Sequence, residues 1–205
     1  MQMITMTLGL YETNCYLLYD EATRHAVLID PGYEPERLLG ALQAHGLSLQ
    51  AILITHAHFD HVGATQPLFE ATGCRIYVHP LDLSMPPYLR RGLVNTDFYE
   101  EGDCLDFDSL HFQVLHTPGH TPGCVILVLG DKLFCGDLLF RGSCGRTDGA
   151  GGSWDQMLSS LRRMAELPGD YLVYPGHGEP TTLARERQSN VFMLRALGLK
   201  SMPGL

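Results

Sequence analysis

The densest group of potential metal ligands lies between residues 55 and 61, which read Thr-His-Ala-His-Phe-Asp-His. The motif directly follows an apolar run, Ala-Ile-Leu-Ile at 51–54. Imidazole and carboxylate groups bind zinc, iron and manganese, and this density of them is hard to explain by packing. His56 and His58 are two positions apart, so in an extended segment they point to the same side. The motif therefore indicates a metal centre, with Asp60 and His61 able to turn toward a second ion.

Three later segments each offer one more candidate ligand, next to glycine or proline at the end of a short apolar run. They read Thr-Pro-Gly-His at 117–120, Cys-Gly-Asp at 135–137 and Tyr-Pro-Gly-His at 174–177. A lone histidine is more often a core or loop residue, but His120, His177 and the three histidines of the first motif make up five of the ten histidines in the chain. Two ions that share a bridging group need a large set of such ligands. The candidates are His56, His58, Asp60, His61, His120, Asp137 and His177.

Length and composition favour a single domain, which we assign to residues 1–205. Hydrophobic residues make up 45% of the chain, enough for a core, and the net charge of −9 argues against a nucleic-acid partner. Because no run of about 18 apolar residues occurs, we expect no membrane span, and the N-terminus does not resemble a secretory leader. Six scattered cysteines without a CxxC pair favour reduced thiols. We expect a cytoplasmic monomer or small homo-oligomer.

Short strand-like runs alternate with helical patterns along the chain. Helices are predicted at 35–45, 64–72 and 183–197, and after a capping box formed by Ser153 and Gln156. Strands are predicted at 4–8, 15–19, 26–30, 51–55, 75–79, 104–107, 111–116, 124–129, 132–135 and 171–174. Residues 80–102 are irregular and are interpreted as a lid or a surface connection. The expected fold class is α/β, a four-layer αβ/βα sandwich of two mixed β-sheets with helices on the outer faces.

The ligand-bearing segments together resemble the metallo-β-lactamase superfamily. The resemblance runs in the right order from about residue 14 to residue 177, and its HxHxDH signature is highly specific. The stretch Gly-Asp-Leu-Leu-Phe-Arg-Gly-Ser-Cys-Gly-Arg-Thr-Asp at 136–148 is similar to the short bacterial glyoxalase II-like hydrolases, as is His-Gly-Glu-Pro-Thr-Thr at 177–182. The resemblance therefore implies a hydrolase of the hydroxyacylglutathione hydrolase-like type.

The resemblance also assigns a role to each candidate ligand. It implies two Zn²⁺ ions, with Fe or Mn as alternatives. One ion would be held by His56, His58 and His120, the other by Asp60, His61 and His177, with Asp137 bridging both. Asp60 would also orient the attacking hydroxide and is the candidate catalytic side chain. Arg146 stands where glyoxalase II places a basic residue near the glycine carboxylate of glutathione, although a surface salt bridge explains it equally well.

The leading hypothesis is a dinuclear hydrolase of S-acyl thioesters such as S-lactoylglutathione, in which a hydroxide shared by the two ions attacks the carbonyl. A small-molecule thioester would be its substrate. Tyr88, Phe98, Tyr99 and Phe140 could line an acyl pocket, although ordinary packing is the more common role of such residues. Only 28 residues follow His177, so the helical domain that completes the glutathione site of longer glyoxalase II enzymes is not expected. Asp137 stands where zinc β-lactamases carry a cysteine, which argues against antibiotic hydrolysis.

A mononuclear iron persulfide dioxygenase is the second hypothesis, because that group also resembles the chain at 116–124 and 141–148. It would use His56, His120 and Asp137 and leave the second site without an ion. Hydrolysis of lactones or other esters is a further alternative, since a fold does not fix the substrate. A non-enzymatic metal-binding protein is disfavoured because the ligand set is intact.

Overall fold

Fourteen strands and six α-helices form the part of the chain that the structure, a computed structural model, describes, which is residues 1–199. The helices are α1 (Pro35–Ala44), α2 (Phe59–Val62), α3 (Thr65–Thr72), α4 (Trp154–Ala165), α5 (Leu183–Ser189) and α6 (Val191–Ala196). The first sheet contains β1 (Gln2–Leu8), β2 (Thr13–Tyr19), β3 (His25–Ile29), β4 (Ser48–Leu53), β5 (Arg75–Val78) and β6 (Asp97–Phe98). The other strands are β7 (Cys104–Phe107), β8 (Leu110–His116), β9 (Val125–Leu129), β10 (Lys132–Gly136), β11 (Leu139–Phe140), β12 (Ser143–Cys144), β13 (Leu172–Pro175) and β14 (Thr181–Thr182).

Both six-stranded sheets are mixed, as the sequence predicted. The first has the order β1-β2-β3-β4-β5-β6, antiparallel up to β3 and parallel from β3 to β6. The second has the order β14-β13-β10-β9-β8-β7, in which only β10 and β13 pair in parallel. Strands β11 and β12 form a separate hairpin. The parallel pairs matter most here, because the carboxyl ends of parallel neighbours open at the same edge of a sheet.

Alternation along the strands divides the apolar residues between a central core and two outer cores. On β2, Tyr16 and Leu18 enter the core between the two sheets, where Phe134 of the second sheet joins them. Cys15 and Leu17 point the other way, to the core under the helices. Helices α1 and α3 cover the outer face of the first sheet, and α4 and α6 cover that of the second. The predicted four-layer αβ/βα sandwich is therefore confirmed.

The prediction of one continuous terminal helix over 183–197 is wrong. The chain forms α5 and α6, separated at Asn190, whose backbone is extended with φ −74° and ψ 115°. The Asn190 Oδ1 accepts hydrogen bonds from the N–H groups of Phe192 and Met193 and so caps α6. An asparagine that satisfies backbone donors in this way favours a helix start over a helix interior. Helix α4, in contrast, begins as predicted, with Ser153 Oγ accepting from the Gln156 N–H.

The segment 80–102 is more regular than its composition indicates. Pro80–Ser84 forms a 3₁₀ turn, and β6 adds to the edge of the first sheet beside β5. Met85 and Tyr99 are buried, and the Tyr99 hydroxyl donates to the Ile54 carbonyl. The backbone N–H of Phe59 donates to the Leu89 carbonyl at 2.6 Å, which fastens the middle of the segment beside the ligand-rich motif.

None of the described helices is both long and apolar enough to cross a membrane. The two sheets share the central core, and each sheet has one outer core. The assignment of residues 1–205 to one domain stays a prediction, and its last six positions lie outside the described residues.

Two imidazoles, those of His79 and His116, stack beside the 3₁₀ turn. The rings of His79 and His116 are parallel, with centroids 4.2 Å apart, and His79 is buried. Burial, and secondarily the neighbouring His116, lowers the pKa of His79 from 6.5 to about 4. The His79 Nδ1 accepts from the Leu81 N–H at 3.3 Å and so caps the 3₁₀ turn.

We therefore predict that His79 destabilises the protein in acid. His79 takes up a proton near pH 6.5 in the unfolded chain and only near pH 4 in the folded chain. The free energy that neutral His79 contributes to folding is therefore fully present above pH 6.5 and is lost as the pH falls toward 4. H79N, which keeps an acceptor for Leu81, should lose less unfolding free energy than the wild type over this interval. Urea unfolding of both proteins in chelator, followed by circular dichroism, measures the difference. Equal losses would contradict the prediction.

Candidate metal centre

The seven candidate ligands meet at one edge of the sandwich, just beyond the ends of three strands. The HxHxDH motif follows β4, Asp137 follows β10 and His177 follows β13. Because β10 and β13 are parallel neighbours, Asp137 and His177 emerge side by side. His120 enters from the loop between β8 and β9. The structure thus brings together ligands from four distant segments.

The first group of ligands is a triad of imidazoles, His56, His58 and His120, whose ligand atoms lie within 4.8 Å of one another. His58 Nδ1 lies 2.9 Å from His120 Nε2. His58 has extended backbone at φ −64° and ψ 145°, and α2 begins directly after it. The extended part of the motif therefore serves the first triad, and its helical part turns away toward the second.

The second triad consists of Asp60, His61 and His177, again within 4.8 Å. His177 Nε2 lies 3.3 Å from Asp60 Oδ2 and 3.4 Å from His61 Nε2. Asp60 and His61 are both in α2 and are buried. A short helix of four residues is thus enough to direct both side chains to the same point.

Asp137 lies between the two triads. Its Oδ2 is 3.5 Å from His120 Nε2 of the first triad and 3.7 Å from His177 Nε2 of the second, and its Oδ1 is 3.5 Å from His61 Nε2. One carboxylate thus lies within reach of both groups. Each of the seven predicted ligands therefore has a place in the centre.

The outward-facing Nδ1 atoms of two histidine ligands make hydrogen bonds that fix their rings. His120 Nδ1 is 2.7 Å from the Arg146 carbonyl, and His177 Nδ1 is 2.9 Å from the Tyr11 carbonyl. A carbonyl oxygen can accept a hydrogen bond but cannot donate one, so Nδ1 must carry the hydrogen in both rings. Nε2 is then free to bind a cation. Both rings are thereby held in the tautomer that a metal requires.

Asp30 performs the same task for His61 and was not among the predicted site residues. Its buried carboxylate is 2.9 Å from His61 Nδ1 and accepts from the Thr55 N–H at 2.7 Å and the Thr55 hydroxyl at 2.5 Å. Asp30, His56 and His61 lie close enough to form a third group of possible ligands. Since three donors already occupy the Asp30 oxygens, it is a partner of His61 and not a ligand. The only local signal was its position at a strand end before Pro-Gly.

Two buried ligand atoms have no hydrogen-bond partner among the described residues, His56 Nε2 and Asp137 Oδ1. A buried polar atom without a partner costs about 1–3 kcal/mol. Both atoms face the centre, where a cation would satisfy them. A set of imidazoles and carboxylates without a thiolate suits zinc, iron or manganese. The residues present therefore fit a metal centre.

Two imidazoles of the first triad, His56 and His58, have lowered pKa values. Burial, reinforced by the neighbouring imidazoles, lowers the pKa of His56 well below its ordinary value. The same causes, burial first, lower the pKa of His58 to about 4. Only a neutral imidazole binds a metal ion, so these two side chains are ready to act as ligands.

The second triad has the opposite electrostatic character. Burial would raise the pKa of Asp60, but its hydrogen bond with His177 and the charge of His61 hold that pKa below the usual range. Burial likewise opposes protonation of His61, yet the carboxylates of Asp30 and Asp137 raise its pKa to about 9. A cation bound here would take the place of a proton.

Two glycines allow the backbone to pass directly against the ligands. A Cβ on Gly176 would collide with Asp137 Oδ1 and would lie 2.6 Å from His61 Cε1. A Cβ on Gly145 would collide with the Asp137 backbone carbonyl. The glycines of the Pro-Gly-His and Cys-Gly-Arg segments are thus required by the space around the shared carboxylate.

A cavity of about 550 Å³ opens over the centre. Five of the seven ligands line it, namely His58, Asp60, His120, Asp137 and His177, while His56 and His61 are buried behind them. The predicted substrate-binding residue Arg146 also lines the cavity and pairs with the exposed Asp148 at 2.7 Å. Both interpretations of Arg146, a cavity residue and a surface salt bridge, therefore describe its position.

The apolar wall of the cavity differs from the predicted one. Of the four candidates for an acyl pocket, only Tyr88 lines the cavity, beside Leu89. Tyr99 belongs to the central core, and neither Phe98 nor Phe140 is among the lining residues. The wall is completed by Tyr11 and Phe59, whose rings meet edge to face with centroids 5.3 Å apart. These two were missed because they are adjacent only in the folded chain.

Comparison with known families decides the evolutionary assignment. The family model described as "Metallo-beta-lactamase superfamily" matches residues 8–177, the span that contains all seven ligands. The chain belongs to the metallo-beta-lactamase superfamily. The predicted family resemblance is therefore confirmed, and with it a place among metal-dependent hydrolases.

Within the superfamily the chain is similar to hydroxyacylglutathione hydrolase GloC of Haemophilus influenzae, with 38% identity over 199 residues. That alignment covers 89% of this chain and 93% of the relative. It is also similar to "Probable polyketide biosynthesis zinc-dependent hydrolase BaeB" of Bacillus velezensis, with 31% identity over 82% of this chain and 74% of that protein.

Three solved structures of the superfamily resemble the chain over nearly its whole length. The BLEG-1 B3 metallo-beta-lactamase superposes with a TM-score of 0.85 at 34% identity, covering 94% of this chain and 99% of that one. TTHA1623 in a di-iron-bound form has a TM-score of 0.80 at 43% identity, with 92% and 99% coverage. ETHE1 from Myxococcus xanthus has a TM-score of 0.84 at 33% identity, with 99% and 93% coverage.

We predict that G176A disrupts the centre. The added methyl group has no room beside Asp137 and His61, so the shared carboxylate must move. The bound metal per chain, measured by elemental analysis after dialysis, should fall to less than about half of the wild-type value. G40A is the matched control, because a Cβ at Gly40 meets nothing within 4 Å and α1 gains a better helix former. Full metal content in G176A would show that the site tolerates the shift.

Proposed function

We propose that the protein is a two-ion hydrolase that cleaves S-acyl thioesters of glutathione. The carrying observation is the Asp137 carboxylate, which lies within 3.7 Å of imidazole nitrogens from both triads and faces an open cavity. The similarity to GloC, named a hydroxyacylglutathione hydrolase, supports the choice of substrate. Zinc is the proposed metal in both positions, with His56, His58 and His120 at one, Asp60, His61 and His177 at the other, and Asp137 between them.

A pair of divalent ions bound there would supply an ionised water near neutral pH and a Lewis acid for the carbonyl oxygen. The chain itself holds the ligands rigid and leaves one side open to the cavity. Asp60 has its Oδ2 beside Thr13 Oγ1 at 3.4 Å and His177 at 3.3 Å, so its orientation is fixed from two directions. We assign to it the orientation of the attacking water. No general acid is required, because a thiolate is stable enough to leave without protonation.

The cavity offers two kinds of contact to such a substrate. Arg146 lines the cavity with a guanidinium suited to a carboxylate of the thiol part. Tyr11, Phe59 and Tyr88 line it with aromatic rings. A substrate with a charged end and an apolar or compact acyl end would have a partner for each end.

The decisive measurement is thioester cleavage by the zinc-loaded protein. We expect hydrolysis of S-lactoylglutathione, which is monitored through the free thiol that it releases. In H58A, kcat/KM should fall by at least about 100-fold, which corresponds to a barrier higher by about 2.7 kcal/mol. H111A is the matched control, since His111 is exposed and pairs only with Asp106. Activity of the wild type no higher than that of H58A would reject the proposal.

Metal content separates this function from the second candidate. The similarity to ETHE1 from Myxococcus xanthus and to a di-iron form of TTHA1623 makes iron a specific alternative to zinc. Two zinc ions per chain in protein from unsupplemented cells would support the hydrolase. One iron per chain, with oxygen uptake on glutathione persulfide, would support a mononuclear dioxygenase instead. Cleavage of a β-lactam in place of the thioester would favour the activity named for BLEG-1.

We predict that R146Q raises KM for S-lactoylglutathione and leaves kcat nearly unchanged. The Arg146 side chain is largely exposed, so its lost ion pair with the substrate carboxylate should be worth about 0.2–1 kcal/mol, which is a rise in KM of about 1.4- to fivefold. The matched control is a thioester of N-acetylcysteamine, a thiol without a carboxylate, for which KM should stay constant. An equal rise in KM for both substrates would show that Arg146 does not bind the carboxylate of the thiol part, and would contradict the prediction.

A further inference from the structure

A second buried carboxylate, Asp82, lies behind the centre without belonging to any group of ligands. It is on the 3₁₀ turn Pro80–Ser84 and has no exposed surface. Its Oδ2 accepts from the Ala57 N–H at 2.7 Å and from the Thr121 hydroxyl at 3.1 Å. Its Oδ1 accepts from the Gly123 N–H at 2.6 Å. Three donors thus converge on one carboxylate, and none of them is a cationic side chain.

The donors to Asp82 lie next to the ligands of the first triad in the sequence. Ala57 separates His56 from His58, and Thr121 directly follows His120. The two loops that carry the first triad come from distant parts of the chain, and Asp82 hydrogen-bonds both of them. Its contacts therefore fix the spacing between the two imidazoles of the first loop and the single imidazole of the second.

The packing around Asp82 leaves little freedom. A Cβ on Gly123 would lie 2.6 Å from Asp82 Oδ1, so the loop can approach the carboxylate only because residue 123 is glycine. Burial raises the pKa of the Asp82 carboxyl above its ordinary value, and the hydrogen bonds from Ala57, Thr121 and Gly123 oppose that rise. A buried carboxylate of this kind is retained when its donors are all satisfied.

Asp30 provides the natural contrast. It hydrogen-bonds His61 of the second triad directly, and it also accepts from Thr55, whose hydroxyl lies 3.3 Å from His56 Nδ1 of the first triad. Among the described residues, the Asp82 carboxylate hydrogen-bonds neighbours of the first triad and no member of the second. Asp30 is therefore connected to both triads, whereas the hydrogen bonds of Asp82 serve the first one.

We propose that Asp82 is a positioning residue for the first ion site, which it holds in shape by joining the His56–His58 loop to the His120 loop. The inference rests on the two-ion centre of the proposed function and is independent of the substrate. It assigns to D82N a selective loss of metal from the first triad. The asparagine side chain has only one oxygen that can accept hydrogen bonds. Its NH₂ group would face one or more of the donors Ala57, Thr121 and Gly123, which need an acceptor.

The test measures metal at each triad separately in the full-length protein. Crystals of the wild type, D82N and D30N, soaked in graded Co²⁺, give site occupancies from anomalous scattering, and chelator competition gives affinities in solution. D82N should weaken Co²⁺ binding at the first triad by about 10- to 100-fold and leave the second within about threefold of the wild type. D30N should weaken both triads, since Asp30 bonds His61 directly and is joined to His56 through Thr55.

Milder variants keep the test valid if D82N does not fold. T121V removes one donor and should weaken the first triad by about two- to tenfold, and T121S should restore it because the hydroxyl is kept. Equal occupancy of both triads in D82N or T121V and the wild type would overturn the inference, as would an equal loss at both triads. A wild type that binds no Co²⁺ at the first triad would overturn the two-ion proposal as well. Filled sites without thioesterase activity would overturn only the proposed substrate.

Discussion

The centre depends on holding several metal-binding groups together in a small buried space. The imidazole nitrogens of His58 and His120 lie 2.9 Å apart, and the Asp137 carboxylate lies within 3.7 Å of imidazole nitrogens of His61, His120 and His177. Removing this many polar groups from water is costly, because the effective dielectric of a buried site is low. The surrounding structure must supply the free energy that keeps them in place before a metal binds. Much of the fold around this edge is explained by that requirement.

Three kinds of support meet the requirement. Strand ends fix the backbone from which the ligands project, and β10 and β13 are bound to each other directly beside Asp137 and His177. Carbonyl and carboxylate acceptors then fix the rings, as Asp30 does for His61. Glycines such as Gly176 remove the side chain that would separate the backbone from the ligands. Each support acts on a different degree of freedom, which is why the ligands can converge so closely.

The ligands could be predicted from the sequence because each lies in a local motif with a chemical signature. HxHxDH concentrates metal-binding groups in a few residues, and the Pro-Gly-His and Gly-Asp segments mark strand exits. The alternation of apolar residues likewise predicts the strands, as on β2, where Tyr16 and Leu18 face one core and Leu17 the other. Local pattern and tertiary structure agree wherever burial is decided by strand or helix period.

The supporting residues could not be predicted in the same way. Asp30 and Asp82 each stand in an ordinary turn sequence, and their importance comes from donors 25 to 41 residues away. Asn190 looked like one more polar residue in a helix, because its partners on the β11–β12 hairpin are far away in the sequence. Long-range polar contacts leave no periodic trace in a single sequence. The metal ligands can therefore be predicted from the sequence, whereas the residues that position them cannot.

The C-terminal helices illustrate how far that support extends. The buried Glu186 of α5 accepts from the Gly142 N–H at 2.8 Å and from the Asn190 side chain at 2.9 Å. Asn190 in turn donates to the Ser143 carbonyl at 2.9 Å, so α5 and α6 hold both sides of the β11–β12 hairpin. The chain that leaves this hairpin reaches Arg146, whose carbonyl accepts from His120. The tautomer of a metal ligand is thus connected to a helix break on the outer face of the molecule. Because the same stretch carries Arg146 into the cavity, the metal centre and the cavity wall are positioned by one set of contacts.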